Sequence, residues 1–138
     1  MADNYGLYSG SEVIVQAKVD SSTTAIVTGD FLIYATAGYV KKAAAGDLIV
    51  GIALEDCAVP TSDGLATIKM GISQEAVYKR AVGTGTITQA MAGLTCDIAG
   101  ARTIDVTASA DDCIVIVQPL VSTNEALVTH RYTRAGVV

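Results

Sequence analysis

Residues 29–55, GDFLIYATAGYVKKAAAGDLIVGIALE, constrain the fold of this chain more than any other stretch. Three apolar runs, FLIY, YV and LIVGIAL, are separated by the turn signals Gly29-Asp30, Ala37-Gly38 and Gly46-Asp47. The pattern predicts a meander of β-strands. The run over 48–54 is apolar on both faces, which predicts the most buried strand of the fold. Gly51 at its centre predicts a bulge or a close approach by another backbone. Lys41 and Lys42 fall where a strand leaves the core, as expected of a solvated edge that discourages unwanted pairing.

The same alternation extends to both sides. Over 12–19, Val13, Val15, Ala17 and Val19 share one face against Ile14, Gln16 and Lys18, which predicts a half-buried strand. The polar run 20–24 reads as a turn and 60–64, with its Pro, Asp and Gly, as a surface loop. Further strands are expected over 65–70, closed by Gly71, then over 76–78, 102–106, 113–117 and 126–132, with Pro119 removing one ladder donor. Thr88 is placed to cap a short helix over 89–92 that Gly93 ends. Residues 26–54 can also be laid over 87–117, with Ala37-Gly38 falling on Ala99-Gly100 and Ile49-Val50 on Ile114-Val115. That overlay suggests two related meanders in one barrel-like core. The expected architecture is therefore mainly β: a compact barrel-like domain over 12–138 with at most one or two short helices and a C-terminal tail. Residues 1–11 form an N-terminal arm, in which Tyr5, Leu7 and Tyr8 stand among small polar residues. Such an arm either frays or orders against a partner chain.

Composition narrows the functional classes. At 138 residues the chain can bury one core without a metal or disulfide to staple it. A net charge of −5 argues against binding nucleic acid through its phosphates. Apolar runs of about seven residues fall far short of the roughly 20 needed to span a bilayer. The start MADNYGLYSG has neither the basic nor the apolar region of an export signal. Cys57, Cys96 and Cys113 are widely spaced and form no CxxC pair, as expected of small buried hydrophobes in a reducing cytoplasm.

Catalytic groups are scarce. His130 is the one histidine and has no Ser or Cys at a motif spacing, so it reads as a surface residue on a late strand. No HExxH or Cys/His cluster appears, and no metal or other cofactor is expected. Gly83-Thr84-Gly85 reads as a plain loop, because no Gly-Lys-Ser/Thr follows it. The doublets Glu55-Asp56 and Asp111-Asp112 read as turn residues, since adjacent side chains on a strand point to opposite faces. A small hydrolase using Asp97, Asp105 or Asp111-Asp112 is the weakest functional reading. His130, Arg131 and Arg134 make the C-terminal end basic, either as a solvated edge or as a docking patch.

TGDFLIYATAGYVKKAAAGDLIVGIALEDCA (28–58), followed by DGLATIKMGI (63–72), resembles the small capsid decoration, or cement, proteins of tailed bacteriophages, including the head-decoration type of lambda-like phages. In that family a Gly-Asp pair opens a strand, a small-residue loop leads to a Val-Gly-Ile/Val-Ala strand, and a Gly-bounded strand follows. The resemblance implies a compact β-rich domain of the kind called a β-tulip, without catalytic residues. It implies assembly as trimers, or sometimes other oligomers, on the outer face of a capsid, where the partner is the major capsid protein. Such a protein is made in the host cytoplasm and ends on the virion surface. Its contacts are expected from Tyr5, Leu7, Tyr8, Arg131, Tyr132 and Arg134, with the partly apolar arm able to add a strand to a sheet edge. The stretch after Pro119 departs from the family pattern. A carbohydrate- or receptor-binding β-module of a phage fibre or adhesin is the alternative, against which the scarcity of aromatics counts.

Overall fold

The computed structural model of the chain describes residues 7–132. Its eleven strands are β1 (Leu7–Ser9), β2 (Ile14–Lys18), β3 (Phe31–Tyr34), β4 (Val40–Lys42), β5 (Gly51–Ala53), β6 (Thr67–Gly71), β7 (Val77–Thr84), β8 (Thr95–Ile98), β9 (Ile104–Asp105), β10 (Ile114–Leu120) and β11 (Glu125–His130). The helical content of the described residues is three single 3-10 turns, Thr36–Gly38, Gln89–Met91 and Val121–Thr123. The second falls where a short helix is expected, but Thr88 makes no side-chain cap bond to it. No helix among the described residues is long and apolar enough to cross a membrane.

Two five-stranded units carry the same strand order. The first runs β2-β6-β5-β3-β4 and closes at a parallel bridge, Val19 to Val40. In the second, β7-β11-β10-β8-β9, the ring closes where β9 pairs parallel with β7, Val82 to Ile104 and Thr84 to Asp105. Each unit places its first, fifth, fourth, second and third strands side by side, and each closes first strand against third. The overlay of 26–54 on 87–117 follows this repetition: β3, β4 and β5 occupy the places of β8, β9 and β10. The loops holding Ala37-Gly38 and Ala99-Gly100 both connect the second strand of a unit to its third. Outside this scheme, β1 lies antiparallel on the start of β7, Leu7 opposite Tyr78 and Ser9 opposite Val77.

Two apolar clusters fill the molecule. Ala17, Val19, Ile26, Leu32, Val40, Val50, Ala53, Ile68 and Met70 fill the first unit. The other cluster fills the second unit with Ile87, Ile98, Ile104, Ile114, Ile116 and Val128, and also takes in Phe31, Ile49 and Ile52 from the first. Successive residues on β3 and β5 thus serve different cores, Phe31 one and Leu32 the other, which is why the 48–54 run is apolar on both faces. Full burial covers Ile49 to Ala53, whereas Leu48 is 44% exposed. The ladder there is also shorter than the run, because only Gly51–Ala53 is strand. Gly51 does meet a close neighbour: a Cβ there would stand 2.4 Å from Met70 Cγ and 2.9 Å from the Gly71 carbonyl oxygen. Cys96 and Cys113 are buried and Cys57 half-buried, all three as free thiols. Burial pushes both buried thiols up to about 12, which keeps them protonated and unreactive at neutral pH.

Other boundaries move for local reasons. The strand expected over 76–78 continues to Thr84, because Arg80 is carried inside and Gly83 lets the backbone pass Thr103, whose Oγ1 would lie 2.5 Å from an added Cβ. The Gly83-Thr84 part of the expected loop is therefore the end of β7. The strand expected over 102–106 shortens to Ile104–Asp105. Pro119 sits within β10 opposite Ala126, past a register shift between Ile116 and Gln118.

A buried arginine and histidine centre and the surfaces around it

His130 is not on the surface. It is fully buried at the end of β11, and its surroundings come from strands far away in the chain. Phe31 meets its ring edge-on at 5.4 Å, and Tyr78 and Tyr132 lie at 5.0 and 5.8 Å between ring centroids. Arg80, also fully buried, crosses the same space. Its Nε donates to His130 Nε2 at 3.4 Å, Nη1 donates to the Gly29 carbonyl at 2.8 Å, and the guanidinium stacks 4.1 Å above the Phe31 ring. Because Arg80 Nε carries a proton, His130 Nε2 is the acceptor, so Nδ1 holds the ring proton and donates to Tyr132 Oη at 3.2 Å. Tyr78 Oη donates to Glu12 Oε2 at 2.5 Å. Glu12 reaches that point across Gly71, where a Cβ would stand 2.5 Å from its carboxyl carbon.

Burial sets the protonation states. It holds Arg80 down at about 10, still protonated at neutral pH. Burial, and then the Arg80 charge, holds His130 well below the usual imidazole range. An unfolded histidine takes up its proton near 6.5, and the native one does so only far lower, so folding is opposed as pH falls through this window. His130 is faced by Arg80 and Tyr78 from β7, Phe31 from β3 and Tyr132 beyond β11, with Glu12 bound to Tyr78. Arg80 is already protonated and burial raises both tyrosines, so none of these three gains a charge between pH 7 and 5. Stability is therefore expected to fall by up to about 1.4 kcal/mol per pH unit below about pH 6.5. Urea unfolding midpoints measured from pH 7.5 to 5 check this, and a flat profile contradicts it.

A second buried charge organises the first unit. Asp30 is fully buried at the Gly29-Asp30 turn. Its Oδ2 accepts the Val27 N–H at 2.8 Å and pairs with Lys42 Nζ at 3.2 Å, while Oδ1 lies 3.2 Å from Arg102 Nε. Lys42 on the edge strand β4 is thus tied inward rather than simply solvated. Of the carboxylates considered for hydrolysis, those of Asp97, Asp105 and Asp112 are held by hydrogen bonds. Asp97 accepts the N–H groups of Ala110, Asp111 and Asp112 at 2.8–3.1 Å, and Asp105 takes Thr107 through its N–H and hydroxyl. Asp112 accepts the Thr95 hydroxyl at 2.7 Å. No group of three His, Cys, Asp or Glu side chains among the described residues could hold a metal ion.

The four described contact residues expected from the sequence, Leu7, Tyr8, Arg131 and Tyr132, fall at one end of the β1-β7-β11 sheet. Leu7 and Tyr8 are 48% and 64% exposed on β1. Arg131 is exposed just past β11, and its N–H donates to the Cys113 carbonyl at 2.8 Å. Tyr132 is half-buried against His130, and its N–H donates to Gln74 Oε1 at 3.1 Å. Tyr5 and Arg134 lie outside the described residues. A separate cleft of about 470 Å³ opens on the first unit, between β2 and the β3–β4 hairpin, lined by Val15 to Lys18, Tyr34, Ala37 to Tyr39 and Met70.

The sequence reading missed Arg80, Glu12 and Asp30. The available signal was alternation, since Tyr78, Arg80 and Val82 share a face of β7, but the charge of Arg80 makes that face look solvated. No family model matches the chain, and no curated protein matches it in sequence.

Proposed function

We propose that this chain is a structural virion protein that binds the outer surface of a tailed-phage capsid as a homo-oligomer, a trimer. It cements neighbouring major capsid subunits against internal DNA pressure. The observation that carries this reading is the exposed strand β1, which presents Leu7 and Tyr8 at the edge of the β1-β7-β11 sheet. The resemblance over 28–72 points the same way, and Asp30 and Asp97 serve a buried pair and a turn. Many copies on one shell multiply a modest contact. Purified protein mixed with expanded, undecorated shells is expected to bind stoichiometrically and raise their rupture temperature, whereas absence of binding overturns the reading. The alternative, a carbohydrate- or receptor-binding module, draws on the cleft with Tyr34 and Tyr39, whose volume lies in the roughly 300–1,000 Å³ range of ligand pockets. A glycan array separates the two.

A further inference from the structure

The two units are not equally covered, and the difference identifies a docking edge. In the second unit, β7 closes on β9 at Val82, and the part of its edge four residues earlier, at Tyr78, is covered by the extended segment β1. In the first unit, β2 closes on β4 at Val19, and the corresponding position four residues earlier is Val15. No strand among the described residues lies on that edge, because β2 pairs with β6 alone. The cleft lined by Val15 to Lys18 and by Tyr34, Gly38 and Tyr39 occupies the place that β1 fills in the repeat.

The backbone there is ready to pair. Val13 accepts from Ile72 and Val19 donates to Ala66, both on the β6 side, whereas Asp20 donates to Val40 on the other side. Along an antiparallel strand these directions alternate, so Ile14 and Gln16 point their N–H and C=O groups, and Lys18 its N–H, toward the open edge, while the Lys18 C=O lies at the Val19–Val40 bridge that closes the ring. Ile14 is exposed, and the edge carries only Lys18 as a guarding charge along the cleft.

We propose that the β2 edge accepts an extended segment of a partner polypeptide as an added strand. The repeat shows the kind of occupant, an uncharged extended segment such as Leu-Tyr-Ser of β1. Among the described residues there are two such edges and one β1, which β7 holds, so the occupant inferred is a segment of a different protein. Lys18 on the rim favours a neutral or acidic segment over a basic one. This inference stands apart from the capsid reading, since the repeat and the open β2 edge carry it.

The probe is a capped synthetic peptide of residues 5–11, titrated to millimolar concentration into the full chain, with amide exchange followed by NMR. Saturable binding is expected, with exchange at Ile14, Gln16 and Lys18 slowed at least about ten-fold. Gln16→Pro removes an N–H facing the open edge and none facing β6, so the melting temperature should stay within about 5 °C of the parent while peptide affinity falls at least about ten-fold. Gln16→Ala should bind as the parent does. The same peptide N-methylated at alternate residues should not bind, a comparison that needs no protein variant. Absence of binding, equal binding of the N-methylated peptide, or protection at Val77 and Tyr78 in place of β2 would each overturn the proposal.

Discussion

Arg80→Ala is expected to lower the stability of the fold by about 3–5 kcal/mol, the range for emptying a large buried site and stranding its hydrogen-bond partners. For a chain of this size that is a fall of roughly 10–15 °C in melting temperature. The loss has two parts. The cavity would lie among Phe31, Tyr78 and His130, and the Gly29 carbonyl and His130 Nε2 would lose their donors. Arg80→Met separates them, because a flexible apolar side chain refills most of the volume and removes a charge that was costly to bury. Met should therefore recover more than half of the loss, as measured by urea unfolding. Equal stability of the Ala variant and the parent would mean that the guanidinium contributes nothing to joining the two units.

Asp30→Ala should cost somewhat less, about 2–3 kcal/mol, for a different reason. Asp30 is the fully buried anion between Lys42 and Arg102, and it also caps the Val27 N–H. Its removal takes the counter-charge from Lys42 and Arg102, which are partly exposed and can turn to solvent, and opens the turn that starts β3. Asp30→Asn keeps an oxygen for Val27 but not the charge, so it should fall between the parent and Ala. Thermal unfolding of the three proteins orders them, and an Asn variant as unstable as Ala would assign the whole effect to charge.

The fold was legible where turn chemistry and alternation act locally. Gly29-Asp30, Ala37-Gly38 and Gly46-Asp47 lie between strands as expected, and Gly51 marks a close approach, here to Met70 and the Gly71 carbonyl. The internal repeat was also legible, because loops and registers drift by only a few residues between the units. The buried polar centre was hidden, since each member is unremarkable alone: Glu12 and Arg80 look solvated, and His130 stands at the end of a strand with no local partner. Their meeting depends on strands β3, β7 and β11 converging, which no window of sequence contains. The contacts expected of Leu7, Tyr8 and Arg131 concern a second chain, and their exposure states only that they are free to make them.

The most direct measurement of the proposed role is co-sedimentation of the protein with expanded, undecorated capsids, comparing the full chain with a form lacking residues 1–10. The truncated form should keep the circular dichroism and melting behaviour of the two units, since β1 adds only a three-residue pairing outside their rings. The full chain should saturate the shells at a fixed copy number, and the truncated form should bind at least about ten-fold more weakly. Equal binding of the two forms would remove β1 from the contact, and no binding of the full chain would contradict the capsid role itself.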